Sequence, residues 1–444
     1  MNLSSVEPIY MPFRSLLLFC FLFFPVIIPS AAAQSDIIGP DTYPDGVNPL
    51  TGLPAADAES LHRRPLLIKI SNYPPVVRPY QVGLNDAEIV WEHLLAGGVT
   101  RFVTVFYEGD LEKVGPVRSA RLIDFELAQV YNALFAYSGM AQGTIDTMLE
   151  SARVESLAVG GSGPCPPLCR FPQEGLALEH TLFGDTAAIR EDYALERNAD
   201  LTPEPVSGMA FSAEAPNEGT ALATATIRYR QSLVGWAWDA DSGVWLRSQD
   251  GEPHMDFSTD TQVNTSNVVI IEAEHPEMPF VRDEYWGPPN FAFDVLLTGS
   301  GRVYLLRDGM LYNGEWQRED DTSPLRFVDA NGDPLPFAPG RTFFNLVPQW
   351  TDGYELELLP AEPQTVTVNG DTGVSMRWGP NPQYVAPDVA YPGDTFAVIG
   401  RNHDGDWLQL KRGEERAVWV NVDRLNAEDV DIASLPNPRP SHER

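Results

Sequence analysis

Residues 65–109 hold three short apolar runs: PLLIKIS (65–71), AEIVWEHLL (87–95) and VTRFVTVFYEG (99–109). Each has the length of a strand and is rich in β-branched and aromatic side chains, and Gly97-Gly98 separates the second from the third. A change of period follows. Pro116 and Ser119 are helix-start signals, and Ile123, Leu127, Val130 and Leu134 recur at i, i+4, i+7 and i+11. Leu134–Ser138 reads as another strand, and Thr144–Arg153 and Asp185–Arg197 read as helices. Strands alternating with helices predict an α/β domain over residues 63–205.

On either side the texture differs. Residues 34–62 are rich in Pro, Gly and Asp and read as an extended lead-in. Residues 202–219 have the composition of a linker. Beyond them ATIRYR, NVVIIEA, FAFDVLL, RVYLLRD and RTFFNLV are strand candidates. Turn signals at Gly299-Ser300-Gly301, Asp308-Gly309 and Asn313-Gly314 have hairpin spacing, so residues 220–350 predict a mostly antiparallel β domain. A second linker spans residues 360–364, and residues 362–426 form a compact third β unit. The polar, Pro-rich residues 427–444 read as a disordered tail.

The N-terminus is read as an export signal. Arg14 precedes the apolar run SLLLFCFLFFPVII (15–28), and Pro29-Ser30-Ala31-Ala32-Ala33 follows it. A basic flank, a short apolar core and an Ala-x-Ala end describe a secretory signal peptide, residues 1–33, cleaved after Ala33. An uncleaved anchor is the alternative. Cys20 lies inside the apolar core after Phe19, so no lipobox is expected. The remaining cysteines, Cys165 and Cys169, sit in GPCPPLC and suggest a local disulfide in an oxidising compartment.

Charge limits the partners. The 444 residues carry 62 Asp+Glu against 30 Lys+Arg, a formal net charge of −32. Such a surface repels nucleic acid and anionic membranes alike. An apolar content of 43% argues against disorder for most of the chain. Only three of the cations are lysines: Lys69, Lys113 and Lys411. Residues 62–121 reverse the trend, with eight cations against six acids.

Two resemblances rest on particular stretches. NPLTGLP (48–54), GGVTRF (97–102), GPVRSAR (115–121), RYRQSLVGWAWDADSGVWLR (228–247), His254-Met255-Asp256, NVVII (267–271) and RDGMLYNGEW (307–316) resemble the YerB-like family over about residues 45–350. This resemblance implies an extracytoplasmic α/β domain followed by a β domain, with no agreed activity. Family members are often lipoproteins, and the missing lipobox departs from that. The second resemblance covers residues 375–425: Arg377, Gly379 and Pro380, then Pro392-Gly393, Asp406-Trp407-Leu408 and Val418-Trp419-Val420. These are similar to a bacterial SH3 domain, a small β-barrel that often contacts cell-wall peptides or other proteins. The expected fold class is therefore an α/β N-terminal domain, a mostly antiparallel β domain and an SH3-like β-barrel.

The chemistry points to binding more than to catalysis. Arg118 and Arg121, with Ser119 between them, open a predicted helix, where free N–H groups and the helix dipole favour an anion. The structural alternative is that both pair with Glu88, Glu92 or Asp124. Glu92-His93 and Ser138-Gly139-Met140 fall near strand ends, where open α/β sheets bind ligands, and residues 138–144 and 115–121 would border one cleft. His180 is a candidate acid/base or metal group, with a structural role as the alternative. VGGSGP (159–164) has Pro164 where a nucleophile elbow needs Gly, and H-E-x-x-H is absent. Asp329, Asn331 and Asp333 begin like a calcium loop, but Pro334 replaces the turn Gly. No metal and no cofactor are expected. In the third unit Trp378, Tyr384, Tyr391 and Trp407 are candidates for a peptide groove. The sequence thus predicts a secreted or envelope-associated binding protein. Its expected partners are peptidoglycan peptides or another envelope protein. A cell-wall hydrolase or transferase using Glu92 and His180 is the alternative.

Overall fold

The computed structural model describes residues 37–159, 165–282, 291–349 and 354–438. The leader expected over residues 1–33, the loop 160–164 and the last six residues lie outside them. Among the described residues no helix is long and apolar enough to cross a membrane.

The apolar runs form strands where the sequence predicts them: β1 (Leu66–Ser71), β2 (Ile89–Leu94) and β3 (Thr100–Phe106). Helix α1 (Leu122–Val130) follows, then β4 (Leu134–Ala136). The stretch expected as one helix from Thr144 is two short ones, α2 (Gln142–Leu149) and α3 (Ala152–Leu157). A small hairpin pairs β5 (Leu168–Arg170) with β6 (Leu182–Gly184). The second half opens on a meander of β7 (Thr220–Tyr229), β8 (Ser232–Asp239) and β9 (Val244–Gln249).

The two halves share one sheet. From β9 the order runs β8, β7, then Met310–Arg318, Gly299–Arg307, Asn267–Ala273, Thr342–Pro348, β2, β3, β1 and β4. Strand Thr342–Pro348 lies parallel both to Asn267–Ala273 and to β2, so a late strand closes the gap beside an early one. The molecule is mostly β, with a mixed sheet and few helices. This differs from the alternating α/β pattern, because local periodicity does not report which distant strand becomes a neighbour.

Both faces of the sheet are covered, which is why its central strands read as unbroken apolar runs. On one face Trp91 stacks on Phe344 at 4.1 Å and donates its indole N–H to the Tyr131 hydroxyl at 2.9 Å. The other face holds Phe102, Phe106, Trp236, Phe343 and Val347. Residues 202–219, linker-like in composition, carry Met209-Ala210-Phe211 into this core. Phe211 has no exposed surface and bridges Ile38 and Phe337.

Residues 365–426 build a separate antiparallel sheet in the order Glu415–Asn421, Trp407–Arg412, Thr395–Arg401, Thr365–Val368 and Leu425–Asn426. Its core includes Val366, Val368, Val398, Leu408, Leu410, Val418 and Val420. It rests on strand Tyr354–Pro360 of the main sheet. There Glu357 accepts from Lys411 Nζ at 2.5 Å and from the Ala417 N–H at 3.0 Å. Within the stretch expected to be a disordered tail, Ile432–Ser434 form a 3-10 turn and Leu435 is buried. Pro436 O accepts from Arg401 N at 2.9 Å.

Candidate functional site

β1 and β2 are both antiparallel to β3, and β4 is parallel to β1. Their carboxyl ends therefore share one edge of the sheet. Side chains alternate across a strand, so Lys69, His93 and Arg101 project from one face at that edge, His93 directly opposite Arg101. All three are buried within mostly apolar strands. Helix α1 covers the same face and adds Asp124, which has no exposed surface.

Asp124 ties helix to sheet. One carboxylate oxygen accepts from Lys69 Nζ at 2.5 Å, and the other accepts from the backbone N–H of the N-cap residue, Arg121, at 2.6 Å. His93 completes the group: its Nδ1 donates to Leu94 O at 3.1 Å, which leaves Nε2 to accept from the Lys69 ammonium. Burial pushes Lys69 down to about 8, against the pull of Asp124. Burial raises Asp124, with Lys69 opposing. His93 lies well below its usual value, first through burial and then through the Lys69 charge, and is neutral.

The helix starts later than Pro116 and Ser119 predict, because residues 114–118 are held extended. Val114 bridges Gly184, Val117 bridges Ile70, and the Arg118 N–H donates to Lys69 O at 2.9 Å. Arg121 is thus the N-cap, and Arg118 lies upstream at the end of β1. Ser138 N donates to Arg118 O and Ala120 N to Gly139 O, both at 2.9 Å. The loops around residues 115–121 and 138–144 are therefore adjacent. Arg101 Nη1 reaches Ser119 O at 3.2 Å, and Arg121 Nη1 reaches Ala120 O at 2.9 Å.

His180 approaches from the turn before β6. Its imidazole is buried and its Nδ1 has no hydrogen-bond partner among the described residues. Its proton affinity is lowered by burial and then by the charge of Arg118, with Arg101 adding to the effect. Arg118, Ser119, Arg121, Ser138 and His180 are thus neighbours, joined by Lys69, His93, Arg101 and Asp124. The sequence reading named Lys69 and Arg101 only as cations of the segment, His93 only beside Glu92 near a strand end and Asp124 only as a pairing partner, and did not bring the four together. The available signal was a charged or titratable residue in the middle of each apolar run (I-K-I, E-H-L, T-R-F).

Glu92 is placed elsewhere. It points to the opposite face, where its carboxylate accepts from Arg247 Nη2 at 2.8 Å and from Thr100 Oγ1 at 2.7 Å. Neither Glu92 nor Arg247 has any exposed side-chain surface. Arg247 also donates to Gln249 Oε1 at 2.7 Å and to His254 Nδ1, while His254 Nε2 donates to Gln81 Oε1 at 2.5 Å. A fully enclosed, paired carboxylate has no route to a substrate, so the structural role applies to Glu92. Glu88 likewise accepts from the N–H groups of Tyr107 and Glu108, at 3.1 and 2.7 Å.

The aromatics of the third unit are dispersed in role. Trp407 is buried, and Trp378 lies under the Arg416 guanidinium, 3.9 Å from its ring centre. The Tyr384 ring packs against Gly379, where an added Cβ would collide with it at 2.5 Å. Tyr391 is 63% exposed. Cys165 and Cys169 are disulfide-bonded.

Two family models match in order: "Protein of unknown function (DUF3048) N-terminal domain" over residues 50–199, and the corresponding C-terminal domain over residues 225–344. The protein named "Putative lipoprotein YerB" from Bacillus subtilis (strain 168) is 29% identical over 333 residues, 74% of this chain and 93% of that one. The crystal structure of the YerB protein from Bacillus subtilis has a TM-score of 0.56 at 26% identity, covering 70% of this chain and 98% of that one.

Proposed function

The chain belongs to the DUF3048, YerB-like family, and from that membership we propose an exported, envelope-associated binding protein that takes an anionic ligand at the carboxyl edge of its sheet. The single observation that carries this reading is the convergence of Lys69, Arg101, Arg118, Arg121 and His180 on one strand-end edge of a chain whose net charge is −32. Arginine forks suit a carboxylate or phosphate, and Ser119, Ser138 and the His180 ring add neutral donors. Asp124 and Lys69 act as the brace that fixes where α1 begins. The envelope location draws support from the leader-like N-terminus and from the lipoprotein name of the Bacillus relative. Residues 362–426 serve in this reading as an SH3-like module that contacts peptidoglycan peptides or another envelope protein.

Calorimetric titration of the full chain with inorganic phosphate and with succinate tests the anion site. Charged hydrogen bonds contribute about 1.5–3 kcal/mol, so Arg118→Ala should weaken binding at least about tenfold. Absence of binding by either probe, or equal affinity in Arg118→Ala, rejects the site. Co-sedimentation with peptidoglycan, compared between the full chain and Tyr391→Ala, addresses the module separately.

A further inference from the structure

Lys113 differs from the other two lysines. Lys69 and Lys411 each hold a carboxylate, at 2.5 Å in both cases. Lys113 makes no hydrogen bond or ion pair with any described residue, in a chain with 62 acidic side chains. Its ammonium lies instead among three rings, 4.5 Å from the centre of Phe183, 4.7 Å from Phe171 and 5.8 Å from Phe257. Cation–π attraction holds the charge there but satisfies none of its N–H donors.

The platform is rigidly supported. Val114 and Gly184 exchange backbone hydrogen bonds at 2.8 and 2.9 Å, which anchors the chain on either side of Lys113 and Phe183. Phe171 N donates to Thr181 O at 2.7 Å, and Phe257 N donates to Gln81 O at 2.8 Å. Phe171 and Phe183 meet edge to face at 5.7 Å. Phe183 is buried beneath, while Phe171 is 41% and Phe257 58% exposed, and Met255 beside Phe257 is 41% exposed. The surface thus offers a cation with no acceptor among the described residues beside pre-set aromatic and Met side chains, residue types enriched at protein interfaces.

We propose that Lys113, Phe171 and Phe257 form a recognition site for a polypeptide segment that presents a carboxylate next to an aromatic or aliphatic side chain. The carboxylate takes the Lys113 donors, and the apolar side chain covers the exposed faces of Phe171 and Phe257. Charge complementarity selects this partner. A neutral apolar segment would bury the ammonium without an acceptor, and a purely acidic one would leave the rings in water.

Three lysines make the test direct. In the full chain labelled with carbon-13 lysine, only three Cε–Hε signals arise, and Lys113→Met identifies one of them. That signal should lie upfield because of the neighbouring rings. Titration with acetyl-Phe-Glu-amide should shift it to saturation, acetyl-Phe-Gln-amide should act at least tenfold more weakly, and Phe257→Ala should lose the response. A Lys113 signal that stays still to millimolar peptide, that responds equally to both peptides, or that responds unchanged in Phe257→Ala overturns the proposal.

Discussion

Lys69 shows how one side chain positions a site without touching solvent. It is wholly buried, its charge is held by Asp124, and its carbonyl receives the Arg118 N–H. Replacing one partner of such a pair strands the other charge, at a cost of about 3–5 kcal/mol. Lys69→Met should therefore lower stability by about that amount at neutral pH in urea titrations. The sign of its pH dependence follows from Asp124. Burial already raises that group, and removal of Lys69 raises it further. A folded pKa above the unfolded value gives stability that is present at low pH and lost as pH rises through the folded value. The deficit of Lys69→Met should accordingly shrink as pH falls; a deficit constant across acid pH would show that the Asp124 charge is not what the lysine compensates.

At the scale of single elements, the strand Thr342–Pro348 is the most telling. Asn345 lies in its middle with no exposed surface, and neither its amide oxygen nor its amide nitrogen has a hydrogen-bond partner among the described residues. Burying an unsatisfied amide costs about 1–3 kcal/mol. Asn345→Leu, close in shape, should raise stability by about 1–2 kcal/mol by chemical denaturation; a loss of stability instead would mean that a bound water already satisfies the amide. The same strand marks the limit of sequence reading. FFNLV was recognisable as a strand because its residues are aromatic and β-branched, and so were β1, β2 and β3. Its place beside β2 was not, since register between residues far apart in sequence depends on packing across the whole sheet. Residues 202–219 misled for a related reason: their Pro, Gly and Glu mask a few apolar residues, yet Val206, Met209, Ala210 and Phe211 are all buried. At the site, Arg118, Ser119 and Arg121 were legible from the helix-start signal. Lys69 and His93 stood in view within apolar runs, but which face of which strand would meet helix α1 was not legible from local sequence.

For the molecule as a whole, the Glu92–Arg247 pair joins the two family halves across the sheet interior. Thr100, Gln249, His254 and Gln81 extend the network, Phe102 and Phe343 flank the guanidinium, and of the arginine's nitrogens only Nε lacks a partner among the described residues. Arg247→Met should destabilise by about 3–5 kcal/mol, because Glu92 is left charged and enclosed. Glu92→Leu combined with Arg247→Met should recover most of the loss, since apolar replacement of a complete buried pair is often neutral. Equal losses in the single and double variants would assign the cost to packing alone.

The parallel insertion of Thr342–Pro348 between Asn267–Ala273 and β2 also sets an order of events during synthesis. β2 leaves the ribosome about 250 residues before the strand that pairs with its open edge, an interval of roughly 10–50 s at ordinary elongation rates. Throughout that time the nascent chain presents an unpaired, apolar edge. The native sheet cannot close ahead of schedule, and a chaperone that masks residues 89–94 would have its longest opportunity there.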